Sequence, residues 1–371
     1  VKYLRFLLVF VPISVVLKYF APHTPTNQVL LFVSACLAVL PLAGMMGHAT
    51  DELAKHLGPN VGGLLNATFG NAAELIIAVF ALQAGELEVV HASITGSIIG
   101  NLLLVLGLAL LVGGWKRAVQ TFNRTLAGMH SSMLLLAVAG LMVPALFVHA
   151  RPGLAHVHAE TRVPAVWHLS LWVAAVLIGV YLLGLFFSLR THVALFNTVD
   201  EAEPPHWTQG KSLLVLGVAT AFVAWMSEML VHSVTPMTRT LGLSPIFVGV
   251  IIIPIIGNAA EHATAVTMAA QDKMDVALGI AIGSSTQVAL FVAPLLVFLS
   301  IPFGHQLSLI FTQGELVAVA FAVAIVAIVS LDGETHWLEG AQLLAVYAII
   351  ALAFWLVPPE TGAAPVLAPG H

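Results

Sequence analysis

Gly70-Asn71-Ala72-Ala73-Glu74 recurs 187 residues later as Gly257-Asn258-Ala259-Ala260-Glu261. Carried without gaps over 70–107 and 257–294, that offset gives 12 identities in 38 positions, including Gly96-Ser97 with Gly283-Ser284. Apolar helices do not repeat a five-residue word holding an amide and an acid by chance, so the chain is a duplication. Glu52, in Ala49-Thr50-Asp51-Glu52, finds a counterpart in Glu228 of Trp225-Met226-Ser227-Glu228 once a gap is allowed.

Around these words the chain is apolar: 59% of its 371 residues are hydrophobic and 8% are charged, with mean hydropathy +1.00. A soluble domain carries roughly 25% charged residues, so the sequence reads as an all-α polytopic membrane protein. Barrel strands would show short alternating segments, which runs such as Leu102 to Leu111 are not. Apolar windows near 1–20, 29–54, 61–84, 89–114, 125–148, 166–189, 212–234, 245–270, 275–300, 314–331 and 338–357 give about eleven transmembrane helices. The expected organisation is a leading helix (1–28), a first five-helix repeat (29–190), an acidic linker (191–211), a second five-helix repeat (212–357) and a tail (358–371). Lysine and arginine gather on the cytoplasmic side. With the amino terminus inside, nine fall inside and four outside, so that orientation is expected and the linker, with Asp200, Glu201 and Glu203, is cytoplasmic. No basic patch supports nucleic-acid binding, and the single cysteine, Cys36, cannot form an internal disulfide.

Five spans separate the two words, so the copies run in opposite directions through the bilayer. Inverted repeats place an ion site near the midplane, at interrupted helices. Gly62, Gly63 and Gly70 before Glu74, and Pro254 and Gly257 before Glu261, supply the interruptions. An ionised carboxylate at that depth costs about 2.5–3.5 kcal/mol on insertion scales, and a cation is the natural compensation. Asn71 and Glu74 share a helix face, as do Asn258 and Glu261. Together they offer the hard oxygen donors that Ca²⁺ prefers. Ser97 and Asn101, and Ser284, Ser285, Thr286 and Gln287, follow the words and are expected to touch the ion or hold its waters. In the absence of metal, burial and mutual repulsion favour protonated carboxyls, so protons and metal compete for one pair of acids. Two protons per divalent ion would balance that pair, with the stoichiometry left open by the other titratable groups Glu52, Glu228 and His262. Glu52, Glu228 and His262 are candidates for a proton pathway or gate, whereas His48, His91 and His130 read as structural.

At these words the chain resembles the calcium/cation:proton antiporter family, within the cation/calcium exchanger superfamily. The resemblance rests on the paired words, on Gly-Ser-Ile-Ile-Gly-Asn-Leu-Leu-Leu-Val-Leu-Gly at 96–107, and on Ala281-Ile282-Gly283-Ser284-Ser285-Thr286-Gln287 with Pro294. Phe187-Ser188-Leu189-Arg190-Thr191-His192 and the acidic linker are similar too. It implies ten core helices behind a leading one, the glutamate pair as ion site and His262 after the second glutamate. Sodium-coupled members usually carry a Thr-Ser-Leu-Pro-Glu type word, which is missing here, so the resemblance favours protons as the driving ion.

The expected function is therefore antiport of Ca²⁺, or a related cation, against protons, with sodium-driven exchange as the alternative. Ca²⁺ is then substrate rather than cofactor, and no cofactor is expected. The partners are Ca²⁺, protons and the lipid bilayer, with a homo-oligomer left open. An intramembrane enzyme would need a word such as His-Glu-x-x-His or Gly-x-Ser-x-Gly, and the sequence has neither. The compact length points by analogy to a prokaryotic cytoplasmic membrane.

Overall fold

A computed structural model describes residues 2–149, 164–193 and 204–357. The described residues are helical apart from loops and one two-residue antiparallel pairing, Gln120–Thr121 with Glu334–Thr335. Lipid offers no partner to a backbone amide, so apolar runs must satisfy themselves as helices. Where the sequence supplies a hydroxyl, the first turn is capped. Thr24, Thr208, Ser244 and Thr312 accept hydrogen bonds from the amides of Asn27, Lys211, Phe247 and Glu315.

In chain order the helices are α1 (Phe10–Tyr19), α2 (Pro25–Phe69), α3 (Ala72–Gln83), α4 (Leu87–Gly114), α5 (Arg124–His149), α6 (Pro164–Phe186), α7 (Gln209–Leu241), α8 (Pro245–Gly257), α9 (Ala259–Ala270), α10 (Met274–Leu299), α11 (Gln313–Val329) and α12 (Trp337–Trp355). Seven of the described helical stretches are long and apolar enough to cross a bilayer, and the bent pair α8–α9 makes an eighth. The remaining pieces α1, α3 and α11 are shorter. The chain is thus an all-helical integral membrane protein.

The third apolar window, expected as one span, is divided. Gly58 has φ +79° and ψ 171° inside α2. Glycine tolerates this conformation, and the following Pro59 disfavours the helical one. The chain turns there, continues helically to Phe69, and breaks again at Asn71 (φ −99°, ψ 25°) before α3 starts. The second word breaks at the matching residue, Asn258 (φ −96°, ψ 4°), with a 61° bend between α8 and α9. Gly62, Gly63 and Pro254 were expected to interrupt the helices, but they lie within helical backbone. A wider helical turn over Val248–Ile252 precedes Pro254 and accommodates a residue with no amide hydrogen.

The most extensive packing is between α2 and α7, and α1 lies on α2, with Ser14 Oγ donating to Ser34 Oγ at 2.9 Å. One end of the bundle is tied by the Gln120 pairing with Thr335, by Arg117 to Asp272 (3.4 Å) and by the Asn123 amide to Asp275 (2.6 Å). At the other end Thr235 Oγ1 donates to Glu86 at 2.7 Å. There the segment after α10 buries Leu307, Leu309 and Phe311 and is held by the hydroxyl of Ser170, which accepts from the Leu309 amide. Asp200, Glu201 and Glu203 of the acidic linker and the carboxyl-terminal tail lie outside the described residues.

Candidate functional site

Each word ends a helix at its asparagine and starts a new one, so Glu74 and Glu261 both stand in the first turn of a helix. The amino end of a helix carries partial positive charge and free amides, which suits an acid there. The two words then pack crosswise. A Cβ on Gly257 would lie 3.2 Å from Glu74 Cγ, and one on Gly70 would lie 3.6 Å from Glu261 Oε1. Each glycine therefore leaves room for the other copy's acid, and Glu261 lies within electrostatic reach of Glu74.

Around this crossing the amides behave differently. Asn71 Nδ2 donates to Gln287 Oε1 at 2.6 Å, Ser284 Oγ donates to Asn71 Oδ1 at 2.6 Å, and Asn101 Nδ2 donates to Ser284 Oγ at 2.9 Å. Asn71, Asn101, Ser284 and Gln287 thus form one chain joining α2–α3, α4 and α10. Asn258 has no partner at either amide atom, although it is 1% exposed. Glu74 Oε1, Glu261 Oε2 and His262 Nε2 are likewise buried without a hydrogen bond. An unsatisfied buried polar group costs about 1–3 kcal/mol, and four residues bearing such groups fall within the second word, the residue after it and the acid of the first. Waters, protons or a cation are what such atoms lack. Two carboxylates with amide and hydroxyl oxygens make a hard donor set.

A cavity of about 690 Å³ reaches this place from one end of the bundle. Glu261, Gly70, Gly257, Ser284 and Gln287 line it, together with the exposed Asp51 and the half-buried His48 and Asp275. Glu74 is not among the lining residues; it is 4% exposed and sits behind the crossing.

Several expected residues have other neighbours. Ser285 Oγ donates to the carbonyl of Ala281 at 2.9 Å and approaches that of Ile98 at 3.5 Å, so it joins α10 to α4 rather than the amide chain. Thr286 bonds back to Ile282 at 2.8 Å. Ser97 is buried on α4. Glu52 does not line the cavity. Its carboxylate accepts from the amides of His206 (2.6 Å) and Trp207 (2.8 Å) and from Lys55 (3.0 Å), which makes it a clasp for the chain entering α7. Glu228 is half-buried on α7, away from the cavity lining.

Asp51, Asn66 and Asp275, which line the cavity, were not singled out by sequence reasoning, and His48 and His130, read as structural, line it as well. The signal for Asp51 was present. It adjoins Glu52, and neighbours on a helix point about 100° apart, so one of the two had to face elsewhere.

The sequence profile of the sodium/calcium exchanger protein family matches residues 27–190 and 211–356. The chain is similar to a Ca²⁺/H⁺ antiporter of Synechocystis sp., at 47% identity over 95% of this chain and 96% of that one. It is similar to the Ca²⁺/H⁺ antiporter ChaA of Bacillus subtilis, at 42% identity over 94% and 97%. The solved structure of native YfkE superposes with a TM-score of 0.80 at 40% identity, covering 95% of this chain and all of that one.

Proposed function

The chain belongs to the sodium/calcium exchanger protein family, and from that premise we propose that it exchanges Ca²⁺ for protons, the two ions competing for Glu74 and Glu261. The names of its full-length relatives support the pair of ions. The observation that carries the site is the set of buried polar atoms without partners where the two words cross: Glu74 Oε1, Glu261 Oε2 and both amide atoms of Asn258. A cation satisfies the three oxygens and protons satisfy the two carboxylates in its place, while the Asn258 Nδ2 hydrogens take an acceptor such as water.

With Ca²⁺ present, both carboxyls give up their protons and bind the ion, joined by Asn258 Oδ1. The amide chain through Asn71, Ser284, Asn101 and Gln287 fixes the surrounding oxygens and orders waters. When the ion departs, two carboxyls side by side out of water cannot both remain charged, so each takes a proton. The protonated pair is neutral and crosses the cycle without the cost of moving bare charge. Gly70 and Gly257 let each acid reach the opposite copy.

The cavity end carries Asp51, Asp275 and the Arg117–Asp272 pair. Loop lysines and arginines make that end cytoplasmic, so the conformation reads as open to the inside, with the amino terminus inside. In the same reading the eleven membrane passages are α1 with the turn before it, α2 to Gly58, 59–83, α4, α5, α6, α7, α8–α9, α10, α11 and α12. The first is a leading helix and the other ten are two inverted sets of five.

Reconstituted vesicles with an imposed pH gradient, tested with and without sodium, examine this reading. We expect Ca²⁺ uptake to follow the proton gradient and to ignore sodium, and Glu74→Gln and Glu261→Gln each to abolish it. Uptake driven by sodium alone would move the assignment to sodium/calcium exchange. Uptake that survives both substitutions would remove the site.

A further inference from the structure

The 187-residue offset pairs Ala92 with Gly279 and Gly96 with Gly283, and extended backward it pairs Gly62 with Gly249 and Gly63 with Val250. At one end of the bundle these surfaces touch. A Cβ on Gly96 would collide with the Val250 backbone and the Pro254 ring, and one on Gly249 would collide with Ala92. At the other end the equivalent surfaces are apart. A Cβ on Gly279 or Gly283 would meet nothing within 4 Å, and both residues, together with Gly63, line the cavity. Gly62 contacts Ala54 of its own chain segment, and Gly63 meets only a methyl of Leu189, at 2.8 Å.

Glycine inside a helix is a destabilising choice. At Gly96 and Gly249 close approach of helices explains it. At Gly279 and Gly283 the open space in front of the backbone gives no such reason. We infer that the α10 face at Gly279 and Gly283 and the segment at Gly62 and Gly63 are the two jaws of a gate. They close on each other when the cavity shuts, repeating the contact that Ala92 and Gly96 already make with Gly249 and Val250. This rests on reading the halves as inverted copies that alternate. Glycine lets the two backbones come together, and the same lack of side chains leaves the passage wide when they part. Because Ser284 and Gln287 stand on α10 beside Gly283, closure carries one wall of the proposed ion site toward α2 and seals it from the cavity.

The test uses the full chain in vesicles, with Cys36→Ala to remove the native thiol. In Gly63→Cys/Gly283→Cys, oxidation by copper phenanthroline under a Ca²⁺ and pH gradient is expected to cross-link the pair and stop uptake, and reduction to restore it. A disulfide needs Cα atoms within about 7 Å, so bond formation reports the approach. Separately, Gly283→Leu fills open space in the present conformation. It is expected to be purified folded and to bind Ca²⁺ in detergent while its uptake falls by about tenfold or more. An uptake-active cysteine pair that never cross-links would overturn the gate, as would wild-type uptake by Gly283→Leu. The cross-link reads the contact whichever ion drives the cycle. Loss of proton coupling in the unaltered protein would therefore strike the proposed function and not the gate.

Discussion

Gly257 presents its Cα to the side chain of Glu74, so close that an added Cβ would stand 3.2 Å from Glu74 Cγ and 3.7 Å from its carboxyl carbon. The repeated word thus has a division of labour. Its acid reaches across to the other copy, and its glycine receives the acid coming back.

Gly257→Ala inserts a methyl into that contact. Overpacking costs about 1–3 kcal/mol. Because the displaced group is the acid itself, the cost should fall on Ca²⁺ affinity, as a rise of about 5- to 150-fold in the dissociation constant. Titration calorimetry on the folded variant checks this. An unchanged constant would mean that the position of Glu74 does not matter to the ion.

The two asparagines should behave differently despite identical words. Asn71→Ala breaks the bonds to Gln287 and Ser284 and leaves buried partners unpaired, with an expected loss of about 1–3 kcal/mol of stability. Asn258 has no such partners, so Asn258→Ala should leave metal-free thermal unfolding unchanged and remove the stabilisation that Ca²⁺ confers. Thermal melts of both variants, with and without Ca²⁺, separate these outcomes.

Asp51 and Glu52 are neighbours with separate duties. Asp51→Asn removes a charge from the cavity mouth and should raise the KM for Ca²⁺ presented on that side, more at low ionic strength than at high. Glu52→Gln keeps the side-chain shape but weakens the charge-assisted bonds to the amides of His206 and Trp207. Faster proteolysis before α7 is expected, with the pH dependence of uptake unaltered. A shifted pH profile in Glu52→Gln would return that residue to the proton pathway.

The recurring word disclosed the duplication, because apolar helices have no other reason to repeat an Asn and a Glu, but the breaks expected at Gly62, Gly63 and Pro254 fall instead at the asparagines of the words. Asn71, Ser284, Asn101 and Gln287 were picked out as polar residues at depth and expected to touch the ion or hold its waters; that they bond to one another follows from the fold and not from their spacing. What escaped is which way each polar residue faces. Ser285 adjoins Ser284, yet donates back to the Ala281 carbonyl of its own helix and faces the Ile98 carbonyl of α4. Glu52 finds its partners 154 and 155 residues away, at the chain segment before α7, a pairing that no local pattern encodes. The cavity mouth at Asp51 and Asp275 arises from helices brought together by the fold, so no single stretch of sequence announces it.

Competition between metal and protons for one carboxyl pair is read most directly as proton release on Ca²⁺ binding, measured in weakly buffered detergent solution near the pH where binding begins to weaken. Release is expected to approach about two protons per ion as the pH is lowered, about one from Glu74→Gln or Glu261→Gln where either still binds, and none when both are replaced. Tight Ca²⁺ binding with no proton release from the unaltered protein, at any pH at which acid weakens binding, would contradict that competition.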